Sequence, residues 1–170
     1  AQQGVKAVAE LTFGIYIPSY KRAETCITHK WLEYYRYVIR KSEEQAYLKA
    51  GFKPENLLAV PDDEIDGMAK VNQWLIDNAE EDVICILDDD IKRMVYRLET
   101  SEDIPSSELV TAELERVAQL MADLGVGFGS VDATVTPWNY DAEFGFRGCS
   151  GAVRWINRKV FKAKCLPELE

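Results

Sequence analysis

Three consecutive carboxylates, Asp88-Asp89-Asp90, follow directly on five apolar residues, Val83-Ile84-Cys85-Ile86-Leu87. The apolar run predicts a strand buried on both faces, so the acids sit where that strand leaves its sheet. Adjacent negative charges repel, and the usual compensator is a hard divalent cation such as Mg²⁺ or Mn²⁺. Side chains two positions apart on an extended chain point the same way. That rule puts Asp88 and Asp90 together as metal ligands and turns Asp89 to the other side. A cation held there can grip a diphosphate. An isolated Asp-Asp-Asp is more often a solvated acidic turn; the buried strand in front of it favours the metal.

A second polar group, Pro18-Ser19-Tyr20-Lys21-Arg22, closes the first apolar run. In open α/β sheets, ligands bind beyond the carboxyl ends of the strands. There Tyr20 can stack on a base, and Lys21 or Arg22 can meet phosphate; a basic surface turn is nearly as good a reading. Arg40-Lys41-Ser42-Glu43 follows the second run and reaches the same edge. Arg40 and Glu43 can contact a base or ribose, whereas Ser42 has a sufficient role as a helix cap. Lys70, on the helix before the acidic strand, can approach a diphosphate or simply be solvated.

The elements that must carry these groups alternate. Phe13–Ile17 is a strand stopped by Pro18, Thr25–Tyr35 reads as a helix, and Tyr37–Ile39 is a second strand. Ser42-Glu43-Glu44-Gln45 has the form of a capping box opening a helix that Gly51 closes. Leu57–Val60 is a third strand, and Met68, Val71, Trp74 and Leu75 make an apolar helical stripe before the strand at 83–87. Ile91–Leu98 reads as a further imperfect strand, and the polar stretch Glu99–Ser107 as an exposed connection. Val110, Leu114, Val117, Met121 and Leu124 recur at spacings of four and three, an amphipathic helix ended by Gly125. Val126–Val131 and Gly151–Trp155 are late strands, and Asn157 is placed to cap a short last helix. The pattern predicts an α/β domain with a mostly parallel sheet covered by helices on both faces.

The chain has 170 residues and a formal net charge of −9, which suits one globular domain and argues against a generic nucleic-acid-coating surface. No apolar run approaches the ~20 residues needed to span a bilayer, and Ala1–Glu10 lacks the apolar centre of a signal peptide. The cysteines at 26, 85, 149 and 165 show no Cys-x-x-Cys spacing, so no zinc knuckle or thioredoxin motif is offered. The lone histidine, His29, is more often structural than catalytic.

Taken in order, Ile17-Pro18-Ser19-Tyr20-Lys21-Arg22, Val38-Ile39-Arg40-Lys41-Ser42-Glu43 and Leu87-Asp88-Asp89-Asp90-Ile91 resemble the nucleotide-sugar glycosyltransferases of the GT-A fold, over roughly residues 12 to 165. The combination of the Pro-Ser-Tyr loop, Arg-x-Ser-Glu and Leu-Asp-Asp-Asp-Ile is similar, more narrowly, to the TET-associated glycosyltransferases of phages. Those are thought to attach sugars to oxidised 5-methylpyrimidines in DNA. The resemblance implies a single GT-A-like domain over 1–170, compact or lacking a C-terminal portion. It implies that Pro18, Ser19, Tyr20 and Arg22 line the nucleotide pocket, with Arg40 and Glu43 beside the base. Asp88 would face ribose or metal, Asp89 would lie in the same pocket, and Asp90 would bind the metal, Mn²⁺ or Mg²⁺. The acceptor side would hold Trp138, Asn139, Arg147, Gly148, Cys149 and Ser150; Phe144 and Phe146 are better read as core.

The implied reaction moves a sugar from a nucleotide-sugar, a UDP-sugar, to an acceptor hydroxyl. A 5-hydroxymethylpyrimidine in DNA is the candidate acceptor, with no membrane partner. The setting would be cytoplasmic, the host cytoplasm if the chain is phage-encoded. The base stays unassigned, with Asp132, Asp141 and Glu143 as candidates. Two alternatives remain at this point: a non-catalytic nucleotide-sugar-binding module, and a sugar nucleotidyltransferase, whose usual Gly-rich first loop is absent here.

Overall fold

The computed structural model describes residues 10–97, 101–132, 144–146, 148 and 150–166. Its centre is a six-stranded sheet in the order β3-β2-β1-β4-β8-β7. The strands are β1 (Phe13–Pro18), β2 (Arg36–Arg40), β3 (Leu57–Val60), β4 (Val83–Leu87), β7 (Phe128–Asp132) and β8 (Ser150–Asn157). The first four pair in parallel, and β8 runs antiparallel between β4 and β7. Two short strands, β5 (Val95–Arg97) and β6 (Ser101–Asp103), form a separate antiparallel ribbon.

Apolar side chains on both sides of each inner strand produce two cores. Ile15, Ile17, Tyr37, Ile39, Val83, Cys85, Leu87, Val153 and Trp155 face one side. There they pack against Val110, Leu114, Ala118 and Met121 of helix α3 (Ser107–Leu124) and Tyr47 of helix α1 (Glu44–Lys49). Tyr16, Val38, Val60, Ile84, Ile86 and Ile156 face the other side, against Val71 and Leu75 of helix α2 (Met68–Asn78). All five residues of β4 are buried, and its four aliphatic side chains each contribute about 1.5–3 kcal/mol of hydrophobic stabilisation. The Trp155 indole adds a hydrogen bond to the Leu114 carbonyl at 3.1 Å, tying β8 to α3.

Helix α3 starts at Ser106, whose hydroxyl accepts from the Leu109 amide, and ends at Gly125 with φ of 64°. That left-handed residue is the conformation glycine adopts at no steric cost. The outer ends of two helical stripes are exposed rather than packed: Met68 and Leu124 lie beyond the sheet.

Several local expectations are corrected. Thr25–Tyr35 is not a helix: only Thr28–Trp31 makes a 3₁₀ turn. The Ile27 and Thr28 amides donate to the Asp89 carbonyl, and the Thr28 hydroxyl donates to the Asp88 carbonyl. Tertiary hydrogen bonds to the acidic turn replace the helical ladder. The capping box is not formed either. The Ser42 hydroxyl donates to Asp62, and Glu43 accepts from the Lys21 amide, so both side chains serve tertiary partners. Ile91–Met94 is outside any strand, and part of the expected connection after Glu99 is β6, with Ile104 buried behind it. After Asn157 the chain makes a turn, closed by the Val160 and Phe161 amides on the Asn157 carbonyl, instead of a helix.

Candidate active site

The sheet order creates a crevice. From β1 the chain winds outward through β2 and β3, then returns to lay β4 on the opposite side of β1. At such a reversal the connections leave in opposite directions, and the carboxyl ends of the two strands border an open cleft. The Pro18–Arg22 segment and the Asp88–Asp90 run stand at those two ends.

One acid is structural. Asp89 is 6% exposed, and its carboxylate accepts from the Ser19 hydroxyl at 2.5 Å and from Arg22 Nη1 at 2.8 Å. The Tyr47 hydroxyl donates to Ser19 at 2.7 Å. Burial pushes the Tyr47 phenol up to about 12, against the opposing effect of its hydrogen bond to Ser19, and so keeps it a donor. The Asp89 carbonyl holds the 27–28 segment, so this residue is satisfied by backbone and side-chain partners alike.

Asp88 and Asp90 remain at the mouth, with side chains 41% and 63% exposed. Strand β4 stops at Leu87, and Asp89–Asp90 lie in a turn; the turn, more than extended alternation, separates the three acids. Asp90 lies 3.2 Å from Arg22 Nη1. Asp88 accepts from Arg154 Nη2 at 3.1 Å. Burial holds the Asp88 carboxyl above its ordinary value, Arg154 opposes that shift, and Asp90 and Asp89 reinforce it.

The residues expected on the nucleotide side gather at the ends of β1 and β2. Pro18 pairs with Val38, and the Ser19 amide donates to the Val38 carbonyl at 3.0 Å. Lys21 has φ of 55°, a left-handed conformation uncommon for a non-glycine residue, and its amide is capped by Glu43 Oε1 at 3.0 Å. Glu43 Oε2 is buried without a hydrogen-bond partner. The half-exposed Tyr20 ring has the Arg40 guanidinium 4.1 Å from its centroid, and Arg40 is held by Asp66 at 2.5 Å. Lys70 instead lines a groove along α2 with Glu64, Gln73, Trp74 and Asp77.

On the far side of the acids, Asp132 ends β7 in register with Ser150, which starts β8. Because β7 runs parallel to β4, Asp132 reaches the same sheet edge as Asp88. Their strands lie two inter-strand spacings apart, about 10 Å, and Asp132, opposite Ser150, stands about two residues further along than Asp88, whose amide meets Ala152. Gly148 has φ of 140°, and a Cβ there would overlap the Asp132 carboxylate, so glycine is required. Phe144 and Phe146 are exposed, not core, because they precede β8 and lie beyond the sheet. Trp138, Asn139, Asp141, Glu143, Arg147 and Cys149 lie outside the described residues.

Arg154 was missed from the sequence. The signal was a lone charged residue inside the apolar stretch Val153–Ile156, where the sheet pattern calls for a buried side chain.

Among the described residues, no three His, Cys, Asp or Glu side chains converge as a self-sufficient metal cage. The donor set at Asp88 and Asp90 fits a cation of another kind. Mg²⁺-type ions use one or two carboxylates and complete their shell with substrate phosphates and water. Burial first, and then the charges of Asp90 and Asp89, raise the Asp88 carboxyl, and a cation beside it would act in the opposite direction. Among the described residues, no helix is long and apolar enough to cross a membrane.

Comparison with curated proteins returns no match. The family model described as TET-Associated Glycosyltransferase matches residues 13–140, which include β1 through β7, both loops at the switch point and the acidic run. That match covers well over half of the chain, and the chain belongs to the TET-associated glycosyltransferase family.

Proposed function

We propose that this glycosyltransferase moves a sugar from a nucleotide-sugar, a UDP-sugar, to an acceptor hydroxyl, in a GT-A-like domain and with a divalent cation at Asp88 and Asp90. The observation that carries the reading is the pair of open carboxylates at the β1/β4 switch point, beside a third that is fully used in the fold. Family membership supports the sugar donor and acceptor.

Tyr20 and Arg40 supply the surface for the base, a flat ring and a guanidinium held by Asp66. The buried, unpartnered Glu43 Oε2 calls for a donor, which an imino N–H of uracil can provide. Asp88 and Asp90 would hold Mn²⁺ or Mg²⁺; the ion, when bound, neutralises charge developing on the departing diphosphate. In the transfer, the acceptor oxygen bonds to the anomeric carbon while the carbon–oxygen bond to the diphosphate breaks, its electron pair leaving with the phosphate. The acceptor proton passes to a base. Among the described residues Asp132 is the candidate, at the same sheet edge and held against Gly148. The family's association with TET enzymes supports a 5-hydroxymethylpyrimidine in DNA as the acceptor class.

The test is UDP release from a panel of UDP-sugars with Mn²⁺, with and without hydroxymethylated DNA. Release stimulated by that DNA, and lost in Asp90→Ala with the fold retained, is the expected result. UDP binding without release under any condition would leave a binding module instead.

A further inference from the structure

Arg154 sits in β8 opposite Ile86. Its side chain therefore projects on the face of Ile84, Ile86 and Asp88, diagonally across from Asp88. Its neighbours Val153, Trp155 and Ile156 are all buried, and Arg154 itself is only 20% exposed. A charge this enclosed is costly unless its donors are met.

They are only partly met. Nη2 donates to Asp88 Oδ1 at 3.1 Å, while Nε is buried with no acceptor. The Nε–H and Nη2–H of a guanidinium point along one edge, spaced for two oxygens of an oxyanion. That edge is half used. Asp88 offers it one oxygen, and Asp88 is also the carboxylate to which a cation would be drawn. Cation and guanidinium repel each other, so both cannot keep the same oxygen.

We propose that Arg154 is a diphosphate-binding residue of the donor site, resting on Asp88 in the free enzyme and turning its Nε/Nη2 edge to phosphate oxygens when the nucleotide-sugar binds. The inference rests on the donor-site reading above. It gives Arg154 a place in the chemistry too: the leaving diphosphate gains negative charge as its bond to the sugar breaks, and the guanidinium edge meets that charge.

Calorimetry with inorganic pyrophosphate, in buffer with EDTA, tests it without recourse to turnover. Wild type should bind pyrophosphate, and Arg154→Met should bind it at least about tenfold more weakly, the loss expected for a charged hydrogen-bonding pair. Arg154→Lys, which retains the charge but not the fork, should fall between them. Mn²⁺ titrated alone should bind Arg154→Met more tightly than wild type, because Asp88 is freed. A merely structural arginine would weaken both ligands together. Equal pyrophosphate affinity in wild type and a folded Arg154→Met overturns the proposal, as does a wild type that ignores pyrophosphate. Pyrophosphate binding that depends on Arg154, in a protein that does not bind UDP, would sustain the oxyanion site while removing the UDP-sugar reading.

Discussion

The Ser19 hydroxyl donates to the Asp89 carboxylate at 2.5 Å, joining the end of β1 to the end of β4. Tyr47 completes the chain from below and Arg22 from the side. Ser19, Arg22 and Asp89, all expected to line the nucleotide pocket, thus partner one another, and these bonds fix the two strand ends and with them the positions of Tyr20, Asp88 and Asp90.

Asp89→Ala should therefore act on stability. It leaves a buried serine hydroxyl and a half-exposed arginine without their shared acceptor, a loss of about 1–3 kcal/mol. Denaturant unfolding of Asp89→Ala and Asp90→Ala should separate them, with Asp90→Ala close to wild type. Equal destabilisation would contradict the division of roles.

Gly148→Ala should act on catalysis. The new methyl meets the Asp132 carboxylate in a backbone conformation unfavourable for alanine. Displacing a base by about 1 Å can cost about 100-fold in rate. Turnover should fall by that order while UDP affinity stays unchanged; normal turnover would remove Asp132 from the acceptor site.

Tyr20→Ala should weaken UDP about tenfold, the scale of one base–aromatic stack, and leave pyrophosphate affinity intact. The comparison checks that Tyr20 meets the base and not the phosphates. An equal loss for both ligands would contradict it.

His29 gives a pH prediction. Burial among Tyr35, Tyr37 and Phe52 lowers its pKa, with Lys30 adding to the effect. Its Nδ1 lies 3.0 Å from the Tyr37 hydroxyl. The unfolded chain then binds the proton more readily than the folded one. Stability from this group is complete above the ordinary value of about 6.5 and falls as pH drops below it. As the chain's lone histidine, it can be followed by NMR. It should titrate below that ordinary value, and His29→Gln should flatten the stability slope in this range.

Much of the fold was legible because it rests on period. Val83–Leu87 reads as a strand buried on both faces and the Val110–Leu124 stripe as a helix, and both form. Failures came where tertiary partners outbid local preference. Thr25–Tyr35 has an acceptable helical composition, but its amides and the Thr28 hydroxyl find Asp88 and Asp89, far along the chain. Ser42 has the sequence of a cap and finds Asp62. At the candidate site, residue types pointed to one sheet edge, where the strand order gathers them, but not to each residue's partner. Nothing local distinguishes Asp89 from its neighbours; Ser19 and Arg22 do so in space. Arg154 lies on a strand remote from both loops, and only the antiparallel insertion of β8 beside β4 brings it to Asp88.

A cation shared between the donor's diphosphate and the proposed ligands Asp88 and Asp90 makes nucleotide affinity depend on the metal. Calorimetric titration of UDP into wild type, Asp88→Ala and Asp90→Ala, each with Mn²⁺ and with EDTA, measures that dependence. Wild type should bind UDP at least about tenfold more tightly with the ion, and both variants should show the same weak affinity in either buffer. A Mn²⁺-dependent gain of equal size in the two variants would contradict the account.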